Sequence, residues 1–138
     1  MKLDKPSNNT FTVHGVILYF TVIILGLVAY LTPIGEIIWG YLNDVGLVDI
    51  GDHISNYLLS LIILFAAGSI ALLNNISKKR ILLIALLLLS ANFITELFVT
   101  LKNTPDIIDA LYGTVGVLIA LILIFVMDKY GIRKNKIK

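Results

Sequence analysis

The sequence predicts an all-α integral membrane protein, a four-helix bundle with both termini inside (N-in/C-in). Three observations carry this. The first is composition: 58% of the 138 residues are hydrophobic and 14% are charged, against roughly 45–50% and about 25% in soluble domains. With a mean hydropathy of +0.94, that excess calls for lipid as the solvent rather than for a larger core. The second is a set of four apolar runs, Val13–Leu31, Tyr57–Leu73, Ile81–Leu101 and Ile107–Met127. A hydrocarbon layer about 30 Å thick needs roughly 20 helical residues to cross it. The third is charge placement. Ten of the eleven cations fall in the N-terminal segment, the second connection or the C-terminal tail, and only Lys102 lies elsewhere. The side rich in Lys and Arg is expected to be cytoplasmic.

Each element follows in order. The length suits one domain, residues 1–138, with no internal repeat. The first span, 13–31, is too long for a cleavable signal and ends in AYLTP, so it reads as a retained anchor. Thr32-Pro33 stops it. Residues 33–52 read as an amphipathic outer loop, with Trp39 and Tyr41 as interface anchors. The second span is placed at about 54–73, its helix starting in the polar stretch near Asp52 with Ser55 and Asn56 in its first turns. Asn74-Asn75 with Lys78-Lys79-Arg80 separates it from the third span at about 81–101. After Asn103-Thr104, Pro105-Asp106 suits a helix start and opens the fourth span, 107–127. On that helix Gly116 and Ala120 form a small-xxx-small pair that permits close helix approach.

No cysteine is present, which excludes disulfides, thiolate metal sites and a cysteine nucleophile. No phosphate-cradling glycine loop or nucleophile elbow occurs, and nothing points to nucleic acid. The basic clusters read as topogenic rather than as a headgroup or nucleic-acid site.

The acids gather on the other side. Glu36, Asp44, Asp49, Asp52, Glu96, Asp106 and Asp109 fall in the outer loop or at outer helix ends. Acids contribute little to orientation, so this asymmetry suggests an outward polar site. Asp49, His53 and Tyr57 recur at i, i+4 and i+8 and share one helical stripe. Asn92 and Glu96 share a face on the third helix, and Asp109, Gly113 and Gly116 align on the fourth. The three polar stripes are expected to converge at the outer ends of helices two, three and four.

Asp49-x3-His53-x3-Tyr57 at the start of a membrane helix resembles a motif of VanZ-like membrane proteins. Glu96 near the end of an apolar helix, then Asp106-x2-Asp109 with Gly116 seven residues on, resembles the same family in order and spacing. The chain departs from it at Ile50, Val99 and Gly113, where the family has Lys, Gln and Asn, and in lacking an Arg before the Asp pair. The resemblance implies a small bacterial inner-membrane protein. The family's named member confers resistance to the glycopeptide teicoplanin at the cell surface.

Three function classes follow. One is a VanZ-like protein of the cell envelope whose outer His and acids bind or act on a surface lipid, a cell-wall precursor lipid or a glycopeptide. The second is an enzyme acting on a lipid phosphate with a divalent cation, for which Asp49, His53, Glu96, Asp106 and Asp109 are the candidate ligands, since carboxylates and one imidazole suit such ions. The third is a structural or accessory subunit without catalysis, in which the polar cluster fixes helix ends, His53 pairs with a carboxylate, and a partner docks on the Gly116/Ala120 face. The residues leave open whether the chain is an enzyme.

Overall fold

The computed structural model is an all-α bundle of four helices. The structure describes residues 9–32, 37, 40–41, 44, 50–98 and 107–134, the side chains of 50–52 excepted. The helices are α1 (Val13–Leu31), α2 (Ile50–Leu73), α3 (Lys78–Phe98) and α4 (Ile107–Val126). All four are long and apolar enough to cross a membrane, and the chain is a multi-pass membrane protein. A π-helical turn, Met127–Gly131, continues α4. It leads into β2 (Ile132–Arg133), which pairs antiparallel with β1 (Thr10–Phe11).

Two helices are central and two are flanking. Half of the spanning window of α2 and 39% of that of α4 are buried, against 11% in α1 and in α3. α2 and α4 share the largest interface; α1 packs on α2 and the π-turn, and α3 packs on α4 and α2. Leu64, Phe65, Val117, Ala120, Ile124 and Met127 fill the seam between the central pair. Lipid-facing positions are as apolar as this core. Val13, Ile17, Phe20, Ile24 and Leu31 run along the outer face of α1, and Leu83, Leu87, Ile94 and Phe98 are exposed on α3. A water-soluble protein rarely exposes contiguous apolar faces of this extent.

Gly116 accounts for how closely the central helices meet. A Cβ at this position would overlap the backbone carbonyl of Tyr57 and lie 3.2 Å from the amide of Leu61. The small-residue face expected to receive a partner protein is therefore filled by α2 of the same chain, and Ala120 beside it is wholly buried.

The helices start earlier than the apolar runs suggest. α2 is helical from Ile50, in the polar stretch near Asp52 where the sequence places its start, and α3 opens at Lys78 rather than 81. Helical hydrogen bonding is local and continues into the polar interface, so hydropathy marks the lipid-crossing part of a helix and not its start. Residues 99–101, the expected end of the third span, lie outside the described residues. So does most of the amphipathic outer loop, where residues 37, 40, 41 and 44 are helical and exposed.

At the ladder end every terminal carbonyl of α2 has a partner. Asn75 adopts the left-handed conformation (φ 57°), and its amide donates to Leu72 while that of Ile76 donates to Ala71. This is a Schellman closure with Asn where Gly is commonest. Asn74 donates to Ile70 through both its backbone and its side chain. Asn9, sixty-three residues away, donates its side-chain amide to Leu72 at 2.8 Å and its backbone amide to Leu73 at 2.9 Å.

Candidate functional site

The polar residues lie at the opposite end, where α2 and α4 begin. Three side-chain pairs link helices there, stepping down α2 at positions 53, 56 and 60. That spacing puts them on one face over about 10 Å of helix axis.

At the top, His53 Nδ1 lies 2.7 Å from Asp109 Oδ1, and the two side chains are only 14% and 9% exposed. An ionised carboxylate can only accept, so Nδ1 is the donor of this contact when Asp109 is ionised. Tyr112, three residues after Asp109, stacks on the imidazole with ring centroids 5.4 Å apart and planes 28° apart. The His ring is thus held by a hydrogen bond at its edge and an aromatic ring on its face. One turn down, Asn56 Nδ2 donates to Glu96 Oε1 at 3.2 Å. Below that, Asn92 Nδ2 donates to the hydroxyl of Ser60 at 2.9 Å. Gly113 makes this rung possible: a Cβ there would lie 2.5 Å from Asn92 Nδ2 and 3.3 Å from Ser60 Oγ.

Hydrogen bonds between membrane helices average about 0.6 kcal/mol, because polar groups in the unfolded chain also find partners in the bilayer. Three such rungs stabilise the bundle modestly. Their larger effect is to fix the register of α3 and α4 against α2, and with it the position of His53.

Beside the stacked rings an apolar groove of about 260 Å³ opens between α2 and α4, lined by Ile54, Tyr57, Leu111, Tyr112 and Val115. His53 does not itself line the groove; Tyr112, stacked on the imidazole, belongs to both. The arrangement therefore sets an oriented imidazole beside an apolar groove at one end of the bundle. A histidine so held can take part in proton transfer or, when protonated, hold an oxyanion.

Of the six polar-site candidates, the structure joins His53 and Asp109 directly. Tyr57 lies in the groove wall, and Glu96 belongs to the next rung. Asp49 and Asp106 lie outside the described residues, as does the side chain of Asp52. Among the described residues no three His, Asp or Glu side chains gather closely enough to hold a metal ion. Of the proposed ligand set, Glu96 is engaged by Asn56 rather than by the His53–Asp109 pair. Gly113, Gly116 and Ala120 all sit in buried packing of α4 against its neighbours.

Sequence reasoning missed Asn56, Ser60 and Tyr112 as members of the site. Its available signal was spacing: Asn56 and Ser60 follow His53 at i+3 and i+7, and Tyr112 follows Asp109 at i+3. No family model, no curated protein and no solved structure matches this chain, so the geometry carries the functional reading.

Proposed function

We infer that the chain is a VanZ-like protein of the bacterial cell envelope whose His53–Asp109 pair faces outward and engages a surface lipid or a lipid-linked cell-wall precursor. The observation that carries this reading is the juxtaposition of that pair with the apolar groove beside Tyr57 and Tyr112. A polar headgroup at the His53–Asp109 pair and a hydrocarbon chain in the groove would use both features together. The resemblance at Asp49, His53, Tyr57, Glu96, Asp106 and Asp109 adds the glycopeptide-related role. The substitution of Gly113 for the family's Asn has a local counterpart that supports it, since the amide of Asn92 approaches α4 at that position from α3. The site faces outward if the basic end is cytoplasmic. Lys78, Lys79, Arg80, Lys129, Arg133 and Lys134 all lie at the ladder end, as the rule for Lys and Arg in cytoplasmic segments requires.

The test is expression in a glycopeptide-susceptible bacterial host, with teicoplanin susceptibility compared for wild type, His53→Ala and Asp109→Asn at matched membrane levels. Reduced susceptibility with wild type, lost in both variants, is the expected outcome. No change with wild type, together with no retention of a lipid-linked precursor by the purified protein, would overturn it.

The His53–Asp109 pair also supports a second reading, in which neutral His53 is the general base of an enzyme acting on a lipid phosphate. Turnover of a phosphate-bearing lipid by wild type, abolished by His53→Gln and only reduced by Asp109→Asn, would select it. The accessory-subunit reading has lost its docking face, because α2 fills the Gly116/Ala120 surface.

A further inference from the structure

The ladder end holds a second feature, unconnected with His53. α3 opens with Lys78-Lys79-Arg80 and has no acid in its first turn. Cations at a helix N-terminus meet the positive end of the helix dipole, and an anion placed there offsets both. Among the described residues one anion is present at this end. Asp128 in the π-turn accepts from Lys78 at 2.6 Å and from Lys134 at 2.9 Å, with its own side chain 9% exposed. A single carboxylate thus holds two lysines from separate parts of the chain. Lys129 joins them around a recess of about 570 Å³ whose remaining lining is Phe125, Asp128 and Ile132. Among the described residues that line the recess, three lysines face one aspartate.

The recess borders the lipid-facing side of the bundle: Phe125, part of its lining, is 44% exposed within the fourth span, and Leu82, one turn from Lys78 on α3, is 46% exposed. We propose that this is a binding site for an anionic phospholipid, with the phosphate among Lys78, Lys129 and Lys134 and an acyl chain along the exposed apolar side chains of Phe125 and Leu82. The basic mouth alone suits any phosphate. Its apolar border at membrane depth selects a lipid, because inorganic phosphate has nothing to place there. Such basic recesses between membrane helices suit anionic headgroups in general. The site does not depend on what His53 does.

The experiment uses the purified full chain in neutral detergent at fixed ionic strength. Phosphatidylglycerol, phosphatidylcholine, glycerol phosphate and inorganic phosphate are added in turn. Bound lipid is counted by native mass spectrometry and stability by the melting curve, since a ligand specific to the folded state raises the melting temperature. Phosphatidylglycerol should be retained and raise the melting temperature, whereas phosphatidylcholine and the two soluble phosphates should not. Lys129→Gln, which leaves both ion pairs of Asp128 in place, should weaken retention about fivefold, the contribution of one lysine near an anionic surface. Lys79→Gln, whose side chain does not line the recess, should leave retention unchanged. Asp128→Asn removes the competing carboxylate and should tighten retention. Equal retention of the two lipids would overturn the proposal, as would equal losses in Lys129→Gln and Lys79→Gln, the mark of diffuse surface charge. Inorganic phosphate matching the effect of phosphatidylglycerol would overturn the lipid assignment.

Discussion

His53→Ala and Asp109→Asn remove the same 2.7 Å contact with unequal consequences. In His53→Ala the carboxylate of Asp109 stays buried with its imidazole partner gone, a charged acceptor left unsatisfied, which costs about 3 kcal/mol. In Asp109→Asn the amide oxygen still accepts from Nδ1, and the loss should be nearer 1 kcal/mol. Melting curves of the two purified variants in detergent check the order, and equal losses would mean that the pair is not oriented as described. Gly113 gives a second prediction at this scale. Gly113→Ala should destabilise the protein by about 1–3 kcal/mol through overpacking against Asn92, and Asn92→Ala should relieve much of that loss. A double-mutant cycle measures the coupling, and additive losses would contradict the contact. The pairing of His53 with some carboxylate was legible in the sequence, because an ionisable group at a membrane helix end needs a partner. That the partner is Asp109 was not legible, since 56 residues of chain separate them and helix rotation decides which acid arrives.

Helix ends show the same division between local and distant causes. The break at Asn74-Asn75 was readable from residue type. The capping of α2 by Asn9 was not, because nothing local to Leu72 or Leu73 announces a donor from the far end of the chain. Asn75→Gly should leave stability unchanged or raise it slightly, whereas Asn75→Ala should lower it by about 1 kcal/mol, because only the alanine carries a Cβ into the left-handed region without a side chain suited to it. Asn9→Ala should cost about 1 kcal/mol through the lost bond to Leu72. Chemical denaturation in mixed micelles resolves both, and a stable Asn75→Ala variant would mean the turn is built differently. The start of α2 was readable in the polar stretch near Asp52, whereas that of α3 was read three residues late, since its first turn, Lys78-Lys79-Arg80, is polar.

For the whole molecule the fold class was plain from composition and the four apolar runs. The choice of α2 and α4 as the central pair was not, because all four runs are comparably hydrophobic and the lipid-facing residues are as apolar as the buried ones. Small residues gave the available clue: α4 buries Gly113, Gly116 and Ala120 together. Orientation is open to direct measurement because the chain has no cysteine. Single cysteines at Asp44, at the end that holds His53, and at Lys79, at the ladder end, should react oppositely with a membrane-impermeant maleimide on intact cells. Asp44→Cys is expected to label and Lys79→Cys to stay unlabelled until the membrane is opened; the reverse pattern would turn His53 inward.

The β1–β2 ladder also bears on biogenesis. Thr12 donates its backbone amide to Gly131 and its hydroxyl to Tyr130, a separation of 118 residues for the latter. While the ribosome is still making α4, β1 has no strand to pair with and α1 lacks its contacts with the π-turn. The nascent chain therefore reaches the bilayer with its first helix only partly docked, and that helix is secured after Arg133 emerges. Quality-control proteases that sample unfinished membrane proteins would meet an open ladder end until that moment, and a chain truncated before residue 130 would never close it.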